Sequence, residues 1–181
     1  MSSAKKTVPT RATKASEIEA WDLETDVAVV GFGGAGSCAA IEGAEAGAEV
    51  HLFEASSAAG GSTALSGGEV YLGGSGGTRI QRRFGFEDSS EDMFHYLMMQ
   101  HGPQADEAKI RLFADRCVDH YGWLTAHGVS FDEGLVSYEQ STMPAPGAGL
   151  TWTGSERAMP YRELARPAPR DHDLGRRQVP H

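Results

Sequence analysis

Six residues, Gly31-Phe32-Gly33-Gly34-Ala35-Gly36, have the composition and spacing to do chemistry. They fit the pattern G-x-G-x-x-G. In that pattern the first glycine allows a tight turn, the second lets backbone approach a pyrophosphate, and the third lets a helix lie close on a strand. A phosphate seated there meets unpaired N–H groups and the positive end of a helix dipole. An acid, Glu54, stands 23 residues after Gly31. A carboxylate at that place accepts from the hydroxyls of an adenosine ribose and repels a 2′-phosphate. The glycine pattern alone is weak evidence; it gains force when a strand precedes it and a helix follows.

The flanking sequence supplies both. Asp26 to Val30 (DVAVV) is a short apolar run ending in glycine, the signature of a buried parallel strand. Ser37 to Ala46 is alanine-rich and predicts a helix, which Gly47 closes. Glu49 to Phe53 predicts a second strand leading into Glu54. Strand, glycine turn, helix and strand therefore fall within about thirty residues. The expected class is α/β: a Rossmann-like unit, incomplete in strands.

Residues 55–78 predict a long loop with eight glycines. Loops of this length are usually functional or disordered. Within it runs Gly60-Gly61-Ser62-Thr63-Ala64-Leu65-Ser66-Gly67-Gly68. A simple NAD domain would continue into another helix and strand. A loop rich in glycine and hydroxyls can instead follow a longer dinucleotide. Ser62, Thr63 and Ser66 have two readings, as donors to phosphate or flavin edges and as turn residues bonding their own backbone. The residues alone leave both open.

Beyond the loop, Ser90 to Gln100 and Asp106 to His127 predict helices. The second carries Ile110, Phe113, Ala114, Cys117, Val118, Tyr121 and Leu124 at helical spacing and reads as core. Six of the eight prolines lie between Pro144 and Pro180, where regularity fades. The expected organisation is a disordered leader over 1–22, an N-terminal part of a cofactor domain with a helical insertion over 23–138, and an irregular Pro/Arg-rich segment over 139–181. The net charge is -9, and because residues 1–20 carry +2 and residues 157–181 carry +3, the middle carries -14 between two basic ends that read as solvated tails. An acidic body excludes nucleic acid, which needs a basic stripe. The N-terminus lacks the apolar stretch of a signal peptide, and no run reaches the roughly 20 apolar residues of a membrane span. A cytoplasmic location is the expectation. Cys38 and Cys117 are too few for a disulfide framework and read as packing residues. Asp115, Cys117, Asp119 and His120 crowd one stretch, but at no common metal spacing. His95 and His101 read as surface residues.

The motif at 31–36, Glu54 and the loop at 60–68 resemble the fumarate reductase/succinate dehydrogenase flavoprotein superfamily. Within it the chain looks most like the 3-ketosteroid dehydrogenases of the Δ4-(5α) type. The segments carrying that likeness are Gly67–Gly74 (GGEVYLGG), Tyr96-Leu97-Met98, Trp123–Gly128 (WLTAHG), Leu150–Glu156 (LTWTGSE) and Pro167–His172 (PAPRDH). Together they span most of residues 26–172; Asp171 stands where the family has glycine. The resemblance implies FAD, held by Gly31, Gly33, Gly34, Ala35, Gly36, Glu54, Ala55, Gly60, Gly61, Ser62, Thr63, Ser66, Gly67 and Gly68. It implies a steroid-like substrate desaturated beside a ketone, with an unidentified electron acceptor. In such enzymes the carbonyl-polarising and proton-removing groups, largely tyrosines, lie further along the chain. No catalytic residue is therefore named here, and Tyr71, Tyr96, Tyr121, Tyr138 and Tyr161 read as packing. These 181 residues alone are expected to be inactive. Two further readings stand: an inactive FAD- or ADP-binding remnant, and an NAD module, which accounts poorly for the 60–68 loop.

Overall fold

The computed structural model describes residues 12–135, 149–153 and 155–174. The chain forms two compact units that divide after Leu65. Each unit is built from its own sequence signals.

In the first unit, β1 (Val27–Val30) and β2 (Val50–Phe53) pair in parallel, with Val27 opposite Val50 and Val30 opposite Phe53. The register is fixed at both ends. Asp26 Oδ2 accepts the Glu49 N–H at 2.9 Å, and Thr25 Oγ1 donates to the Glu49 carbonyl at 2.6 Å. At the far end the Gly31 N–H donates to the Phe53 carbonyl at 2.7 Å, so the ladder runs into the glycine turn. The crossover helix α1 spans Gly34–Glu45. Three glycines inside it each cost about 1 kcal/mol relative to alanine. Two of them explain their presence. A Cβ on Gly36 would lie 1.9 Å from the Gly31 carbonyl oxygen, and one on Gly43 would lie 3.0 Å from Val50 Cγ2. Residues seven apart share a helix face, so this face is kept bare to lie close on the strands. On the ribbon itself Val30 and Phe53 remain 86% and 46% exposed, which is the mark of a sheet short of strands.

Ahead of β1, residues 12–22 carry a 3-10 turn at Ala15–Glu17. The first eleven residues of the expected leader lie outside the described residues.

The second unit packs two helices, α3 (Ser90–His101) and α4 (Glu107–Ala126), beside a small antiparallel sheet. Before them comes the short α2 (Arg79–Arg83), whose Thr78 and Gln81 form a reciprocal capping box. Ser89 caps α3 and Asp106 caps α4 through their side-chain oxygens. The sheet consists of β3 (Glu69–Tyr71), β4 (Leu150–Thr151) and β5 (Asp171–Asp173), with β5 in the centre. Leu72, Ile80, Met93, Ala114, Cys117 and Leu150 form the dry core. Burial pushes the Cys117 thiol up to about 11, as suits a packing cysteine rather than a reactive one. Cys38, on α1, is half-buried.

A buried ion pair organises this unit. Arg170 and Asp88 are both fully buried, with Nε to Oδ2 and Nη2 to Oδ1 at 2.7 Å each. Asp88 Oδ2 also accepts the Gly74 N–H at 2.9 Å and Gln81 Nε2 at 3.2 Å. Arg170 Nη1 reaches the Tyr71 hydroxyl at 3.3 Å, and its carbonyl accepts the Leu72 N–H at 2.7 Å. Beside it His172 Nε2 meets Thr78 Oγ1 at 2.8 Å.

Several expectations change here. The C-terminal basic stretch is not all solvated tail, because Arg170 lies in the interior. The segment read as irregular from 139 contains β4, a helical turn α5 (Tyr161–Leu164) and β5. The long loop of 55–78 contains a 3-10 turn at Thr63–Leu65 and β3. Strands of two or three residues are too short to show a period, and their partners lie far along the chain. Tyr138 and residues 175–181 lie outside the described residues. No helix among the described residues is long and apolar enough to cross a membrane.

Removing one partner of a buried pair strands the other charge, at a cost of about 3–5 kcal/mol. Arg170→Ala and Asp88→Ala should each lower stability by that order. The pair Asp88→Leu with Arg170→Met should cost clearly less than the sum of the single changes. Chemical unfolding followed by tryptophan emission checks this, and additive losses would contradict the coupling.

Candidate functional site: a dinucleotide cradle at the glycine turn

The turn between β1 and α1 sets the geometry. Gly31 adopts φ +102°, which only glycine takes readily. Gly33 precedes the helix in extended conformation and its carbonyl accepts both the N–H and the Oγ of Ser37, at 3.0 and 2.9 Å. The first helical N–H groups are those of Gly34, Ala35 and Gly36. Gly34 donates to Thr63 Oγ1 at 3.1 Å. Among the described residues the Ala35 and Gly36 N–H groups have no acceptor. Two donors at a helix N-terminus therefore point outward, as a pyrophosphate requires.

The loop after β2 closes over this turn. The Gly60 N–H donates to the Phe32 carbonyl at 2.6 Å. A Cβ on Gly61 would stand 3.4 Å from the Gly33 Cα. Thr63, read from sequence either as a phosphate donor or as a turn residue, holds the start of α1 through the Gly34 bond. Ser62 is exposed beside it, and its carbonyl accepts the Leu65 N–H within the 3-10 turn.

Glu54 sits at the end of β2. Its Oε2 accepts the Phe32 N–H at 2.7 Å and its Oε1 accepts the Ser56 N–H at 2.8 Å. These two backbone donors, Ser56 first and Phe32 second, hold the carboxyl below its ordinary range; the Ala55 N–H adds a weaker pull. Glu54 is thus an anion at neutral pH. Each oxygen keeps a second lone pair for a ribose hydroxyl. The bond to Phe32 is the feature that sequence reasoning missed: the acid braces the glycine turn. The signal was present in the pairing of β1 with β2, which brings both strand ends side by side.

The remaining predicted residues, Ser66, Gly67 and Gly68, begin the second unit. Gly68 has φ +88°, and its carbonyl accepts the Leu174 N–H at 3.1 Å, next to the β3–β5 ladder. A Cβ on Gly67 would meet the Glu69 carboxylate at 2.8 Å.

Outward N–H groups at a helix start, backbone packed tightly by glycine, and an anionic acid at the next strand end fit a diphosphate linked to a ribose. Residues 26–170 match the FAD binding domain family. The chain belongs to that family, and FAD is its cofactor.

Its relatives include steroid enzymes. The chain is 39% identical over 162 residues to the 3-oxo-5-alpha-steroid 4-dehydrogenase of Comamonas testosteroni, covering 87% of this chain and 29% of that protein. It is 38% identical over 139 residues to the acrylate reductase flavoprotein subunit of Shewanella woodyi, covering 72% of this chain and 27% of that one. Among solved structures it matches the 3-ketosteroid-Δ4-(5α)-dehydrogenase of Rhodococcus jostii, in complex with 4-androstene-3,17-dione. That match has 43% identity and a TM-score of 0.84 over 93% of this chain and 34% of that one. The chain thus spans about a third of the length of these relatives.

Gly36→Ala puts a methyl group against the Gly31 carbonyl and must displace the start of α1. It should weaken FAD binding at least about tenfold, read by quenching of flavin fluorescence. Unchanged affinity would show that the cradle lies elsewhere.

Proposed function

We propose that this chain holds FAD for a dehydrogenase that oxidises a CH–CH bond beside the ketone of a 3-ketosteroid or a ketone of similar shape. The observation that carries the reading is the match to the Rhodococcus jostii enzyme, at 43% identity and TM-score 0.84 over 93% of the chain. In this reading the Gly33, Ala35 and Gly36 backbone receives the pyrophosphate, with Gly31 making the turn. Gly34 is held by Thr63 so that the helix start stays in place. Glu54 and Ala55 face the adenosine ribose, and Gly60, Gly61 and Ser62 line the dinucleotide. Ser66, Gly67 and Gly68 approach the flavin.

FAD, when bound, supplies the acceptor for the hydride that leaves the β-carbon. What this chain contributes is binding and orientation. Three of its described tyrosines, Tyr71, Tyr96 and Tyr121, are packed in or against the core and do not offer the required acid or base. Tyr71 is mostly buried, and burial raises its phenol above the ordinary tyrosine value. Tyr96 and Tyr121 are core residues. Turnover in this reading needs groups beyond these 181 residues.

The exposed Val30 and Phe53 favour a second reading, an inactive remnant that binds FAD or ADP without catalysis. The polypeptide purified from its native source separates the two. The first reading expects a yellow protein whose visible flavin absorbance bleaches when a saturated 3-ketosteroid is added without oxygen. It also expects Glu54→Lys to weaken FAD binding by at least about tenfold. A flavin-bound protein that no 3-ketosteroid reduces would favour the remnant, and a protein with no affinity for FAD would overturn both.

A further inference from the structure

His172 joins the central strand of the small sheet to the start of α2 through two hydrogen bonds that fix its protonation. Its Nδ1 lies 2.9 Å from the Arg170 carbonyl oxygen. A carbonyl only accepts, so Nδ1 carries the ring proton. In the neutral ring Nε2 is then a bare acceptor, and the Thr78 hydroxyl donates to it at 2.8 Å. Thr78 Oγ1 in turn accepts the Gln81 N–H at 3.2 Å as the N-cap of α2. One hydroxyl therefore ties β5 to α2 across 94 residues of sequence. Thr78, Gln81 and His172 are all buried.

A second proton on His172 reverses that bond. Nε2 becomes a donor aimed at Thr78 Oγ1, and the Thr78 hydroxyl proton must turn away. Among the described residues it has no other acceptor, and a buried hydroxyl left without one is costly. The new charge also finds little to offset it. β3 and β4 place Val70 and Leu150 opposite His172. α4 presents the Tyr121 ring at 5.9 Å, and Phe131 lies edge-on at 6.0 Å. α2 adds another cation, Arg79, held by Glu133. Arg170 is a fixed cation two residues away, and Asp88 is already engaged by Arg170, Gly74 and Gln81. Asp171 and Asp173 point to the other face of β5. Burial accordingly lowers the imidazole below its ordinary value, against weaker opposing pulls from the Arg170 carbonyl and Asp88.

We propose that His172 is an acid-released latch: neutral, it holds β5 to the start of α2 through Thr78, and its protonation lets the two part. The Arg170 carbonyl that it bonds also accepts the Leu72 N–H, so release loosens the end of β3 as well. The folded imidazole titrates below the unfolded value of roughly 6.5. The latch therefore contributes fully above that pH and loses its contribution as pH falls toward the folded value. Asp171 acts in the opposite sense, since its carboxyl, raised to about 6, favours the folded chain as acid is added. The inference is independent of the flavin reading, because none of these residues belongs to the cradle and its test needs no cofactor.

Nitrogen-15 NMR of the His172 ring in the full chain isolates the latch from Asp171. At about pH 7.5 a ring protonated on Nδ1 and bare on Nε2 is expected, taking its second proton below the ordinary histidine range. Over that same titration the Gln81 amide should lose hydrogen-exchange protection at least about threefold relative to amides inside α4. In His172→Gln the carboxamide can accept from Thr78 but takes no proton, so Gln81 protection should stay constant over that range. A ring protonated on Nε2 alone at about pH 7.5 would overturn the proposal. So would Gln81 protection indifferent to His172 protonation, or an equal loss in His172→Gln, because another group would then be responsible. The first two readouts need only the unaltered chain, so they decide the matter even where the variant does not fold.

Discussion

Helix α1 begins so close to the end of β1 that a methyl group on Gly36 would stand 1.9 Å from the Gly31 carbonyl oxygen. The rest of the cradle depends on that approach. Because the helix starts on top of the strand, its first N–H groups open at the edge of the sheet rather than into a loop. Because β2 pairs with β1 in register, Glu54 arrives beside the same turn and bonds Phe32. Because the turn is compact, the Gly60–Thr63 backbone can lie against it and hold Gly34. Glycine is a poor helix former, and here that cost is offset by a geometry no other residue permits.

The second unit is organised on a different principle. Its sheet is made of strands of two or three residues, and its central strand carries Asp171, His172 and Asp173. Such strands have little intrinsic preference to form. Arg170 compensates by anchoring the start of β5 to Asp88 while its own carbonyl bonds Leu72. The buried pair therefore secures β5, and with it β3, which follows directly on Ser66–Gly68. Asp171, the next residue in β5, is held in place by this neighbour. Burial among Glu69, Asp173 and Glu156 raises the Asp171 carboxyl to about 6, a cost the sheet carries.

How much was legible in sequence follows from the range of each interaction. The β1–α1–β2 unit was readable because its signals are local: an apolar run, a glycine spacing, an alanine-rich helix and an acid at the strand end. Helices α3 and α4 were readable from period and caps. β3, β4 and β5 were not, since each is defined by a partner as much as a hundred residues away. Arg170 looked like a tail residue because nothing nearby announces Asp88, 82 residues earlier. Glu54 was expected from sequence to face a ribose, while its bond to Phe32 appears only when the strands are side by side. Likewise Thr63 carries two readings in sequence, and the bond to Gly34 shows how it supports the helix start.

A crystal structure of the chain soaked with FAD tests the central claim most directly. The account predicts pyrophosphate oxygens accepting the Ala35 and Gly36 N–H groups, and the adenosine ribose hydroxyls donating to Glu54. A dinucleotide seated away from the start of α1, or a ribose that leaves Glu54 bonded only to Phe32 and Ser56, would contradict it.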